Sequence, residues 1–556
     1  MGTLAFACVA CAVGYIGYVL AYGVSVAFWD SVAWTNLTSP KGLTLGTLWA
    51  QHNESRTFFP NILAYVVINI TSWNDVALML ISATLMVGAL GVIISGLWRE
   101  IRMAPLRWIP LPFVVLTLAQ YENTLWSFQI AWPFTLFFLL ASLRLLLKEE
   151  LSIGRLSGAV LLGVIASYSL LQGLLIWPAG LIVLLAKGTS RRWLAIWIPA
   201  AAVCTAVYFI GFDYSASTAL PASYVLHHLV PEIRGLLIAT GSVIPLGAAF
   251  TSITSPLVTE AFGAFLLVCG AVTLIAWIRA GRPSGARAFC VALIVTSVLF
   301  ELLLIPGRLA VSPDLGAASR YDTFSWPLLL GIYGYTAISA RTDRYTTRFV
   351  RSAHSALIVV VIAEIFVASM VGIAQGQVTR TVRLTSVDVL ANWRTAPLYI
   401  LAPYLVPPCL TVPIYCKDLR GAAALLQHRH MNIFADPNKV KELRRLGIVP
   451  GGEPTPLLPI PPALNRQINF SDSSRHAWIV LSAVYWTDPS LQRDYAPTRS
   501  KISKILRWAI ASSNEITPRS AIAAAWSPPL SAGFFLLPYS DFYRSWAPFT
   551  ARAPNS

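Results

Sequence analysis

The chain has 556 residues, 56% hydrophobic and only 12% charged, with a formal net charge of +16 and a mean hydropathy of +0.64. Soluble globular proteins carry about 25% charged residues, so this composition excludes an ordinary soluble enzyme and points to an α-helical polytopic membrane protein. Much of the positive charge falls in short loops between apolar segments, where orientation bias accounts for it and nucleic-acid binding does not.

A spanning helix needs about 20 apolar residues. From Gly2 to Trp29 there is no charged residue, and no basic region precedes the apolar run. Segment 4–28 is therefore expected to be a retained first helix, not a removable signal peptide. Further spans are expected at 76–98, 108–121, 124–147, 156–171, 173–187, 193–212, 259–278, 288–307, 324–340 and 352–374. The apolar stretch 57–73 either lies in the interface or begins the second span. Five basic clusters separate the spans: Arg99/Arg102/Arg107, Lys148/Arg155, Lys187/Arg191/Arg192, Arg279/Arg282/Arg287 and Arg341/Arg344/Arg348/Arg351. The positive-inside rule places all five in the cytoplasm.

Two spans must then lie between successive clusters. Between Arg192 and Arg279 there are three apolar stretches, and 235–256 holds Gly241, Pro245, Gly247 and Pro256. It is expected to be broken or re-entrant. The outcome is about eleven spans, with the N-terminus inside and the C-terminus outside. Residues 1–374 form the membrane domain and 375–556 a smaller extracytoplasmic C-terminal domain. The second part has short helices expected at 378–400 and 420–446 and strand-like runs at 476–486 and 532–538, hence an α/β or β-rich domain.

Cys8, Cys11, Cys204, Cys269 and Cys290 lie in apolar segments and are expected to be small core residues. Cys409 and Cys416 lie in the polar tail, where an oxidising compartment would permit a disulfide.

Polar residues gather at a few junctions on the expected outer face. The run Trp49-Ala50-Gln51-His52-Asn53-Glu54-Ser55-Arg56 offers imidazole, amide, carboxylate and guanidinium together. Such a cluster near lipid is costly unless it lines a wet cavity or a site. Asp30, His52 and Glu54 are candidates for proton transfer from a hydroxyl, which needs a base within hydrogen-bond reach. The structural alternatives are an interfacial helix end for Asp30 and a loop support for His52. Glu122, Asn123, Trp126 and Gln129 form a second knot, in which an aromatic face with amides suits a sugar ring; an interfacial aromatic belt is the alternative for Trp126. Arg56, Arg308, Arg320 and Tyr321 are candidates for a phosphate, which the guanidinium fork matches; headgroup snorkelling is the alternative for the arginines. His227, His228 and Arg234 are weaker candidates of the same kind. Glu301 and Glu364 lie inside apolar spans and suit either ion coupling or buried structural pairing. The sequence holds no P-loop, no Gly-rich nucleotide fingerprint and no H-E-x-x-H, and it assigns no metal or other cofactor.

The run from Trp49 to Pro60 resembles an H-N-E-H-R motif, followed by proline, of uncharacterised bacterial multi-pass proteins. Tyr121 to Gln129 resembles their second motif and Ser319 to Tyr321 their third. The layout is similar to that of GT-C membrane glycosyltransferases, and the likeness covers roughly residues 20–330. Ala483 to Pro489 is similar to a short β-domain signature in such proteins. Ser55 departs from the pattern, which has a second His there. The resemblance implies a polyprenyl-phosphate-linked sugar donor, an active first outer loop and an extracytoplasmic tail.

The expected function is transfer of a sugar from a polyprenyl-phosphate carrier to an envelope glycan, lipid or protein outside the bacterial cytoplasmic membrane. Asp30 or Glu54 would be the base, and Arg56 and Arg320 would hold the donor phosphate. The alternatives are a transporter or flippase of lipid-linked glycans, and a non-catalytic assembly protein. Expected partners are the lipid-linked donor, membrane lipids and the acceptor.

Overall fold

The structure, a computed structural model, describes residues 1–38, 43–148, 150–214, 227–245, 256–283, 285–304, 317–342, 348–394, 405, 414–436 and 438–445. The longer helices are α1 (Gly2–Tyr22), α2 (Phe58–Thr71), α3 (Asp75–Met103), α4 (Ala131–Leu146), α5 (Ile153–Ser167), α6 (Ile176–Ala186), α7 (Arg191–Tyr208), α8 (Leu229–Gly241), α9 (Pro256–Arg279), α10 (Ala286–Leu304), α11 (Asp322–Thr342), α12 (Arg348–Ala391) and α13 (Ile414–His428). A two-stranded hairpin, β1 (Gln51–His52) with β2 (Ser55–Arg56), precedes α2.

Among the described residues, six helical segments are long and apolar enough to cross a membrane: Gly2–Tyr22, Asp75–Met103, Ser127–Leu146, Leu257–Arg279, Ala286–Leu304 and His354–Ala391. This is the fold of a helical membrane protein. Phe58–Thr71, Ile153–Ser167 and Leu171–Ala186 are shorter apolar helices.

Three local expectations change, the first being the separate helix expected at 378–400: α12 runs unbroken from the 352–374 segment to Ala391. The stretch 57–73 is a helix of its own: α2 ends where Ser72 and Trp73 adopt left-handed φ of 53° and 65°, and α3 starts afresh under an Asn74 cap. The stretch 108–121 is not one continuous helix. It contains the end of a 3-10 turn over Pro105–Trp108, a short helix over Pro110–Val115 and a 3-10 turn over Leu118–Gln120. Proline starts a helix readily but supplies no N–H to continue one, so a new element begins at Pro110, as one does at Pro105 just before this segment, and Thr117 caps a third turn at Leu118.

The chain forms two compact units, one of Met1–Ser25 with Asn36–Arg380, the other of Val26–Thr35 with Thr381–Ser556. In the first unit, α4 packs on α3 and α5, α8 on α9, and α10 on α11. Close approach needs small residues, since helix association in lipid relies on packing. A Cβ on Gly241 would lie 2.0 Å from the Thr259 carbonyl oxygen, and one on Gly263 1.9 Å from that of Leu237. The first helix is tied to the last of its unit: the Tyr18 hydroxyl donates to the Gly372 carbonyl at 2.6 Å.

In the second unit, the 3-10 segment Trp29–Asn36 begins with Asp30 in its first turn. The Ala27 N–H donates to Asn432 Oδ1 at 3.0 Å, and the Arg383 guanidinium lies over the Phe28 ring. Trp393 Nε1 donates to Gln427 Oε1 at 3.0 Å, and Arg444 pairs with Asp388. The strand-like runs 476–486 and 532–538 and the 483–489 signature lie outside the described residues.

Candidate functional site

The hairpin leaves its turn half-buried and buries its last residue. Gln51 faces Arg56 and His52 faces Ser55, leaving Asn53 and Glu54 as the two turn residues. Asn53 takes a φ of 50°, a conformation asparagine tolerates better than most residues. Gln51 Nε2 donates to the Asn53 carbonyl at 2.6 Å and to that of Asp213 at 2.9 Å, while its Oε1 accepts from the Asp213 N–H at 2.9 Å. Glu54 is half-buried, and its carbonyl accepts from the Tyr208 hydroxyl at 2.8 Å.

Arg56 is only 3% exposed. Its guanidinium donates to the carbonyls of Trp49 (2.8 Å), Ile210 (2.9 Å) and Tyr208 (3.4 Å). The rings of Trp49 and Phe212 flank it, 5.2 and 5.9 Å from ring centroid to guanidinium carbon. Backbone acceptors and aromatic faces thus occupy the fork that was expected to hold a donor phosphate. Its visible work is to pin the hairpin to the end of α7. Ser55 is also buried and accepts from the Leu171 N–H at 3.4 Å.

The first motif reaches the second through His52, whose ring lies 4.8 Å from that of Phe128. The second reaches the third through Glu122. Its Oε2 accepts from the Arg320 N–H at 3.1 Å and the Ser319 hydroxyl at 3.3 Å, and the Arg320 guanidinium is 3.4 Å from both carboxylate oxygens. Beneath this pair, Asn123 Nδ2 donates to the Arg320 carbonyl and to Thr323 Oγ1, both at 2.7 Å, and Thr323 donates to Gln120 Oε1 at 2.7 Å. Ser127 donates to Asp75 Oδ1 at 2.5 Å, anchoring the second motif to the start of α3.

The three motifs therefore converge within one unit. Asn123, Trp126 and Gln129 are buried, whereas Glu122 keeps a half-buried side chain beside Arg320. Tyr321 is buried against Trp132, Phe300 and the Arg320 guanidinium. Asp30 belongs to the other unit. Arg308 and Cys409 lie outside the described residues, and with Cys409 so does the expected bridge to Cys416. Arg234 pairs with Glu260 at 2.6 Å.

The buried acids of this unit include Glu301 and Glu364, singled out from sequence, and Asp322 and Glu232, which were not. Asp322, directly after Ser319-Arg320-Tyr321, is buried and accepts from Ser242 Oγ at 3.5 Å. Its place beside the motif was the available signal. Glu301 accepts from Ser325 at 2.6 Å and Glu364 from Thr117 at 2.8 Å; each is fully buried and leaves its other oxygen without a hydrogen bond. Glu232, in the first turn of α8, is 2% exposed with neither oxygen hydrogen-bonded. Burial raises its carboxyl from the ordinary value, and nearby His228 pulls the other way. Among the described residues, no group of three or more His, Cys, Asp or Glu is placed to hold a metal ion. Comparison with protein families, curated proteins and solved structures gives no match for this chain.

Proposed function

We propose that this protein is an integral membrane glycosyltransferase of GT-C type, moving a sugar from a polyprenyl-phosphate carrier to an envelope glycan, lipid or protein. The supporting observation is the joining of the three motifs that carry the GT-C likeness: His52 meets Phe128, and Glu122 meets Arg320. In this scheme Asp30 or Glu54 takes the proton of the acceptor hydroxyl, whose oxygen attacks the anomeric carbon as the carrier phosphate leaves. Arg320, with Arg308, balances the charge growing on that phosphate, where such a site gains most. Arg56 fixes the loop that carries His52 and Glu54. About eleven spans, a cytoplasmic N-terminus, an outer-face site and an extracytoplasmic tail complete the proposal.

The test is purified protein in detergent with polyprenyl-phosphate sugars and a panel of acceptors. Glu54→Gln and Asp30→Asn each remove charge with little change of shape. At least one should cut transfer by about a hundredfold or more. Near-normal transfer by both variants would remove the first loop from catalysis. Fully buried Glu301 and Glu364, each with an unbonded oxygen, favour a second scheme: a lipid-linked glycan transporter coupled to an ion. Absence of transfer, with gradient-driven lipid movement in liposomes that Glu301→Gln or Glu364→Gln abolishes, would select it.

A further inference from the structure

We propose that Glu122 is the resident counter-ion of Arg320, and that a lipid-linked phosphate binds by taking the guanidinium from it. The assignment deepens the proposed function and rests on its phosphate-linked donor. Glu122 does not depend on the guanidinium for its position. Its carboxylate accepts from the Arg320 N–H at 3.1 Å and the Ser319 hydroxyl at 3.3 Å, and its own N–H donates to Ser319 Oγ at 3.1 Å. These donors stand just ahead of α11, where unpaired N–H groups and the helix dipole favour an anion.

The guanidinium contact is looser. Both oxygens lie 3.4 Å from Arg320 Nη1, against about 2.7–2.9 Å for a close charge-assisted bond. The side chains are 19% and 23% exposed, so solvent weakens the pair further. Arg341 and Glu100 show the contrast, closing to 2.7 Å. Arg320 also rests on the Tyr321 ring, 5.1 Å from the centroid, a cation–π support that does not involve the carboxylate. The guanidinium can therefore turn toward a phosphate while Glu122 stays on its backbone and hydroxyl donors.

A phosphate offers two oxygens to the fork and can displace the two long carboxylate contacts made by Nη1. Until it does, Glu122 lowers anion affinity and opposes capture of weaker anions. Glu122 thus tunes the phosphate site as well as lying beside it.

The experiment measures binding of undecaprenyl phosphate to the full chain in detergent, for wild type, Glu122→Gln, Arg320→Ala and the double variant. Glutamine keeps an oxygen for the Ser319 and Arg320 donors but removes the competing charge. Glu122→Gln should bind about three- to fivefold tighter. Arg320→Ala should bind at least about tenfold weaker, and the double variant should match it, because the gain requires the arginine. Glu122→Asp, with its charge drawn back by one methylene, should fall between wild type and Glu122→Gln, and supplies the test if the glutamine variant does not fold. Unchanged or weaker binding by Glu122→Gln, or equal tightening without Arg320, would overturn the counter-ion role while leaving the phosphate role of Arg320 standing. No loss in Arg320→Ala, or no binding by wild type, would overturn both.

Discussion

The imidazole of His52, at the tip-side end of β1, lies against the ring of Phe128, with centroids 4.8 Å apart. Seventy-odd residues of chain separate them, so this contact fixes where the first-loop acid turn sits relative to the second motif. Aromatic pairs contribute about 0.5–1.5 kcal/mol beyond their buried area. A double-variant cycle of His52→Ala and Phe128→Ala, read by thermal unfolding in detergent, should show coupling of about that size. In the transfer assay each single variant should lose activity by about tenfold or more through misplacement of the loop. Additive behaviour in both readouts would make the contact incidental.

Arg56→Ala should act first on stability. It leaves three carbonyls without their donor, one in a buried and two in part-buried bonds, and a buried group so stranded costs about 1–3 kcal/mol. A loss of about 3 kcal/mol or more is expected, seen as a lower melting temperature and less protein in the membrane. Arg56→Lys should recover only part, since a single ammonium cannot replace the planar fork. A well-folded Arg56→Ala protein with an isolated defect in phosphate binding would return Arg56 to the donor site.

Glu232 carries a pH prediction. Burial raises its folded carboxyl, so between the unfolded and folded values the folded state holds a proton that the unfolded chain has released. Its contribution is full below the unfolded value and is lost as pH rises through the folded one. Glu232→Gln should therefore raise the melting temperature more at pH 8 than at pH 5. Equal shifts at the two values would show that folding does not perturb Glu232, and destabilisation growing with pH would show that a charged Glu232 is what the fold uses.

Gly241→Ala pits two effects against each other. Alanine favours helix over glycine by about 1 kcal/mol, but its Cβ would meet the Thr259 carbonyl oxygen of α9 at 2.0 Å. Backbone cannot yield cheaply, and overpacking typically costs about 1–3 kcal/mol. Net destabilisation is expected in a detergent melting curve. A stabilised Gly241→Ala protein would mean that α8 and α9 slide apart freely.

The membrane class was legible because 56% hydrophobic content admits few other folds. The polar knots were legible because uncompensated polar groups are rare beside lipid. What sequence concealed was where side chains find partners. Arg56 reads as a phosphate ligand until Tyr208 and Ile210, about 150 residues on, present their carbonyls to it. The independence of α2 was hidden because Ser72 and Trp73 make a left-handed break with no glycine to announce it. Asp30 and Glu54 share one loop in sequence yet fall in different compact units, because 26–35 joins residues after Arg380. The Glu122–Arg320 meeting also depends on tertiary structure, since 198 positions separate them.

The bond from Tyr18 to Gly372 sets a timetable for biogenesis. Its partners are 354 positions apart. At roughly 5–20 residues per second of synthesis, the hydroxyl waits about 20–70 s before its acceptor exists. Throughout that interval α1 must remain in the bilayer without its final neighbour. A nascent chain halted before Gly372 would leave that helix packed on α3 and bonded to Thr124, with its Tyr18 hydroxyl still lacking the Gly372 acceptor.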